Sequence, residues 1–96
     1  MTLSLEWDDE KAASNLTKHR VAFEDAARVF LDPNRLDRHD GRENYGEDRF
    51  LMIGLVGMLE LTVVYTVRSD IFRIISARKA ESNERHEYWK NRQVYP

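Results

Sequence analysis

Residues 49–80 read RFLMIGLVGMLELTVVYTVRSDIFRIISARKA, and the middle of this run decides the fold. Leu59, Leu61, Val63, Tyr65 and Val67 fall on one side of the chain, and Glu60, Thr62, Val64, Thr66 and Arg68 on the other. A period of two lays an apolar face on a core in a strand and scatters the same residues around a helix. The flanking runs FLMIGL and IFRIISARKA have strand length and are rich in β-branched and aromatic residues. Only Gly57 with Met58, and Ser69 with Asp70, separate the three runs, which predicts three antiparallel strands joined by tight hairpins.

Toward the N-terminus, LSLEW alternates again and reads as a first strand carrying Leu3, Leu5 and Trp7 on one side. Asp8 stands at an N-cap position with Asp9 and Glu10 in the first turn, so a helix follows, with Ala12, Ala13 and Leu16 as a thin apolar stripe. Arg20 and Val21 break it. Phe23, Ala26, Ala27 and Phe30 then recur at i, i+3, i+4 and i+7, an amphipathic helix ended by Asp32 and Pro33. Residues 34–48 read as an exposed, mobile loop with a charged edge strand near Leu36. Beyond the strands, SNERHEYWKNR is a C-terminal helix capped by Ser82 or Glu81, with Glu84 in its first turn. Its low apolar content, centred on Tyr88 and Trp89, predicts loose docking. The whole is an α+β fold: an antiparallel sheet of about four to five strands, two N-terminal helices packed on one face, and a C-terminal helix.

Ninety-six residues are enough for one domain, 1–96, with one modest core. No apolar run approaches the roughly 20 residues that span a bilayer, and the acidic start MTLSLEWDDE lacks the basic and apolar regions of a secretory signal. The chain contains no cysteine, which excludes disulfides and thiolate metal sites. A cytoplasmic protein without membrane contact is expected. Residues 1–48 hold seven Lys and Arg against twelve Asp and Glu, and residues 49–96 eight against five, so the sheet and C-terminal helix form the basic half. Such a surplus suits nucleic acid or is simply a solvated face.

No phosphate-cradling glycine loop, paired-histidine zinc helix or serine elbow is present. His19, His39 and His86 have no metal-ligand spacing, so no metal and no cofactor are expected. Trp7 reads as a packing residue. The more informative group is Arg73, Ser76, Arg78 and Lys79 on and after the last strand. Arg73 is on the face opposite Phe72 and Ile74, while strict alternation puts Ser76 and Arg78 on the same side as those two. An arginine in a strand is either anchored by a carboxylate, such as Glu60, or available for phosphate, and both readings are open. Lys18 and His19 carry the same ambiguity, because cations at a helix C-terminus complement its dipole.

Three blocks in order, WDDEKAASNLTKH, then RFLMIG, then RIISARKA with ERHEY, resemble the BrnT family of bacterial type II toxins along nearly the whole chain. The family blocks fall on Trp7, Asp8, Lys11, Asn15, Lys18, His19, Arg49, Arg73, Ser76, Arg78, Lys79, Glu84, Arg85 and Tyr88. Departures are Ala22 and Glu81, where the family usually has a capping hydroxyl, and Ser69, where it has glycine. The resemblance implies a fold similar to the RelE toxins and a metal-independent endoribonuclease that inhibits growth. It also implies a BrnA-like ribbon-helix-helix antitoxin as partner, with operator DNA bound only through that antitoxin. In such an enzyme Arg73 and Arg78 would hold the scissile phosphate of the RNA substrate. Lys18, Arg49 and Lys79 would assist, His19 or Glu84 would be the base, and Tyr88 would donate a proton or stack on a base. The rival readings are a non-catalytic module whose basic sheet face accepts a partner segment, and an inactive toxin that only binds its antitoxin.

Overall fold

The computed structural model describes residues 3–41 and 46–92. Strand β1 (Leu5–Trp7) leads into helices α1 (Asp9–His19) and α2 (Phe23–Val29). Strands β2 (Leu36–Asp40), β3 (Arg49–Val56), β4 (Leu59–Arg68) and β5 (Ile71–Lys79) follow, and then helix α3 (Ser82–Arg92). The five strands make one sheet in the order β1-β5-β4-β3-β2. The architecture is the expected α+β one, and the edge strand near Leu36 is β2. Of the segment read as a loop, residues 42–45 lie outside the described residues.

One strand pair departs from expectation. β1 runs parallel to β5, with Glu6 opposite Arg73, so the sheet is mixed rather than wholly antiparallel. β1 has no hairpin link to its neighbour; it must deliver the chain to α1, which lies against β5, and only the parallel direction does so over this short distance.

The two hairpins turn where the sequence placed them. Val56 pairs with Leu59 across Gly57 and Met58, and Gly57 takes φ 62°, a left-handed value that costs glycine nothing. Across the second turn Arg68 pairs with Ile71, and Ser69 and Asp70 both have positive φ, 48° and 68°. A type I′ hairpin demands this, and a Cβ at Ser69 is strained by it. Ser69→Gly relieves the strain, partly offset by a looser unfolded chain. A gain of about 0.5 kcal/mol, or a melting temperature about 3 °C higher, is expected by calorimetry.

The core lies between the sheet and α2. Phe23, Ala26, Val29 and Phe30 are buried against Met52, Leu61, Val63, Tyr65, Ile74 and Ala77. Phe30 packs edge-on to Tyr65 and Phe72, with centroids 5.3 Å apart in each case, and Trp7 packs edge-on to Phe23 at 5.9 Å. Burying one such ring contributes roughly 2–3 kcal/mol. Gly54 permits the close approach of α2: a Cβ there would lie 2.8 Å from Val29 Cγ1.

Helix α1 is held differently from its expected alanine and leucine stripe. Ala12 reaches the core, but Leu16 is 49% exposed, and the buried residue is Asn15. Because β1 pairs only as far as Ile74, the next stretch of β5 has an open edge, and Asn15 closes it. Its Nδ2 donates to Ala77 O and Val21 O, each at 2.9 Å, and its Oδ1 accepts from Ala77 N–H at 3.0 Å.

Candidate active face of the sheet

The sheet face away from α1 and α2 is covered at one end by α3, closes at the other around the buried Thr66 and Asp40, where Thr66 donates to Asp48 O at 2.6 Å, and is partly exposed between them. Register assigns to it Arg38 of β2, Arg49 of β3, Thr62, Val64 and Thr66 of β4, and Arg73, Ser76 and Arg78 of β5. Strict alternation would have split Arg73 from Arg78. A bulge prevents that: Val64 pairs with Ser76 and Tyr65 with Ile74, so Ile75 is an extra residue and the phase of β5 reverses. Ile74 and Ala77 are therefore both in the core, while Arg73, Ser76 and Arg78 share the open face. The same reversal turns Lys79 away. It pairs with Leu61, a core residue, and lies with Met58 and Arg85 around a separate depression rather than beside Arg78.

Helix α3 is anchored by polar contacts that its sparse apolar content did not reveal. Arg78 donates through both terminal nitrogens to Glu84, at 2.7 and 2.9 Å. Glu84 Oε1 also accepts from Thr62 Oγ1 and from the Glu81 N–H at the helix start, each at 2.8 Å. Burial pushes the Glu84 carboxyl up, but Arg78, the Glu81 N–H and Thr62 outweigh it and hold it at about 2. Glu84 is thus an ionised, fully engaged carboxylate, a poor proton acceptor at neutral pH.

Tyr88 is 1% exposed, packed with Ile53 and Ala80, and donates to Asp32 Oδ2 at 2.6 Å. Burial and the Asp32 carboxylate push its hydroxyl up to about 12. The expectation that Tyr88 stacks on a base or protonates a leaving group does not fit this position, since its ring and hydroxyl are both enclosed. Asp32 also accepts from Leu55 N–H at 2.8 Å, joining the end of α2, the edge of β3 and α3 at one carboxylate. Trp89 donates to Glu60 at 2.6 Å, and Arg38 pairs with Glu87. The C-terminal helix is therefore tied to the sheet and to the end of α2 through its buried Glu84 and Tyr88.

The carboxylate partner of Arg73 is Glu6, at 3.0 Å on neighbouring β1, rather than Glu60. Arg49 faces Glu47 at 3.5 Å. Lys18 and His19, at the end of α1, meet Ser76 and Ile75 in a groove of about 180 Å³ along the open edge of β5. Ser76 therefore joins two features: it lies on the arginine face and it lines the groove that holds His19. Sequence reading missed the roles of Asn15, Asp32 and Thr62; Asn15 had a signal, as a polar residue in the apolar spacing of α1. Among the described residues, no three His, Asp or Glu side chains converge on a possible metal site, and no helix is long and apolar enough to cross a membrane.

Residues 7–84 match the model of a family described as the ribonuclease toxin, BrnT, of type II toxin-antitoxin systems. No curated protein matches the chain.

Proposed function

The chain belongs to the BrnT family of type II toxin-antitoxin ribonuclease toxins, and we propose that it cleaves RNA without a metal on the face centred on Ser76. The observation that carries this reading is the bulge at Ile75, which puts Arg73 and Arg78 on one face with Ser76 and next to the groove of His19. The scissile phosphate sits between the two guanidinium groups, with Arg49 and Lys18 binding adjacent backbone. The 2′-hydroxyl attacks phosphorus while His19, in its neutral form, takes the proton. The P–O5′ bond breaks as the imidazolium returns that proton to the departing oxygen, leaving a 2′,3′-cyclic phosphate and a 5′-hydroxyl. The arginines stabilise the extra charge of the phosphorane. Glu84 does not act as base in this scheme; it holds Arg78 in place.

Residues 1–96 act as one toxin domain in the cytoplasm and arrest growth by degrading RNA. A BrnA-like ribbon-helix-helix antitoxin covers the arginine face and brings operator DNA to the complex. The test is inducible expression of the wild type beside Arg73→Gln, following growth and RNA integrity, with cleavage rates on purified protein. Arg73 and Glu6 are both partly exposed, with side-chain accessibilities of 27% and 39%, so their pair contributes under about 1 kcal/mol and the variant stays folded. Cleavage is expected to fall about 100-fold. Full activity in Arg73→Gln removes the phosphate role, and a folded wild type that neither arrests growth nor cuts RNA leaves an inactive toxin or binding module.

A further inference from the structure

Among the described residues, the arginines of the open face are each matched by a carboxylate: Arg38 by Glu87, Arg49 and Arg68 by Glu47, Arg73 by Glu6 and Arg78 by Glu84. That face is rich in donors but close to neutral. The cations without such partners lie elsewhere. Lys11 and Lys18 have no carboxylate partner among the described residues, and both line the groove between α1 and β5 with Ser14, His19 and Ser76. Lys11, Ser14 and Lys18 are spaced i, i+3 and i+7, so they form one ridge of α1 that the fold brings alongside the open edge of β5. The nearest acid on that ridge, Asp8, is committed to the helix start, where it accepts from the N–H groups of Glu10 and Lys11 at 2.8 and 3.2 Å.

We propose that this groove is a second phosphate subsite, in which Lys11, Lys18 and the hydroxyls of Ser14 and Ser76 bind the RNA backbone next to the nucleotide being cut. The proposal rests on the ribonuclease reading and adds to it the electrostatic footprint. When a phosphate replaces a carboxylate on a paired arginine, few ions are released, whereas an unpaired lysine that meets a phosphate releases its share of the counterions around the strand. The salt dependence of RNA binding therefore comes from α1, while the sheet arginines supply geometry. The continuity of the groove with Ser76 sets the direction of the strand, from the arginine face over the edge of β5 onto α1.

The test uses the full chain and a fluorescent 2′-O-methyl RNA oligonucleotide, which binds but cannot be cleaved, with affinity measured across a series of KCl concentrations. The slope of log affinity against log salt is expected to shrink by about 0.7 for Lys11→Gln and again for Lys18→Gln. Lys90→Gln, an exposed lysine on α3, is expected to leave it unchanged. Slopes for the Lys11 and Lys18 variants equal to that of Lys90→Gln overturn the subsite. A wild type that binds the oligonucleotide through Lys11 and Lys18 yet cuts no RNA upholds the subsite while removing the ribonuclease reading. A wild type that cuts RNA with no dependence on these lysines does the reverse. If the two variants weaken only antitoxin binding, the ridge belongs to the protein partner and the subsite falls.

Discussion

Asn15→Ala is expected to lower stability by about 3–5 kcal/mol, enough to unfold a marginal domain of this size near physiological temperature. The side chain is 6% exposed and makes three hydrogen bonds, two of them with the N–H and C=O of Ala77 on the same strand. Truncation leaves those two groups and Val21 O without their partner, where each costs about 1–3 kcal/mol, because the alanine methyl can neither donate nor accept. A melting temperature lower by about 15 °C or more is the corresponding thermal result. Asn15→Asp separates the contributions. It keeps an acceptor for Ala77 N–H but aims a charge at two carbonyl oxygens, so at neutral pH it should be at least as damaging as alanine and should recover part of the loss in acid. Urea unfolding of both variants at pH 7 and pH 5 checks this. A loss under about 1 kcal/mol for Asn15→Ala would mean that the open edge of β5 is satisfied some other way.

Glu84 governs the response to acid. Its carboxyl sits at about 2 in the folded protein against an ordinary 4.5. A carboxyl lowered by folding contributes stability that is complete above its unfolded value and is lost as pH falls through the folded one. The window is therefore about pH 4.5 down to about 2, and the amount on the order of 3 kcal/mol. Asp32, also held below the usual carboxylate range despite its burial by hydrogen bonds from Tyr88, Leu55 and Asn34, acts in the same direction. Urea midpoints between pH 7 and pH 3 should fall steeply for the wild type and less for Glu84→Gln. At neutral pH Glu84→Ala is expected to cost about 3–5 kcal/mol, because Arg78, Thr62 and the N–H of Glu81 lose their shared acceptor. Replacing both partners, as Arg78→Met with Glu84→Leu, should recover the part of that loss due to the orphaned charge, while Thr62 Oγ1 and the Glu81 N–H stay without that acceptor. Equal destabilisation by the single and double replacements would show that the charge of Arg78 contributes little to it.

The parts of this fold that were legible in the sequence are those set by local physics. Alternation over residues 59–68 and two-residue breaks produced the three-strand meander; the i, i+3, i+4, i+7 spacing of Phe23 to Phe30 produced the helix that covers it; Asp8 capped α1 as its type predicts. Each of these follows from interactions within a few residues, where side-chain chemistry and backbone period act directly.

What only the tertiary structure decided depends on partners far along the chain. The bulge at Ile75 comes from how β5 registers on β4, and no alternation within IFRIISARK reveals it; yet that one residue moves Arg78 onto the face of Arg73 and turns Lys79 away. The parallel pairing of β1 joins residues 67 positions apart, and the closure of β5 by Asn15 spans 62. The engagement of Glu84, and of Tyr88 with Asp32, likewise arises only when α3 meets the sheet and the end of α2, so two residues that looked reactive in the sequence are anchors in the fold. Sequence alone thus determined the elements and the family to which the chain belongs, because both are written in local pattern. Which side chains share the candidate face was decided by long-range register and by which charges the fold had already paired, because those energies exist only between residues that folding brings together.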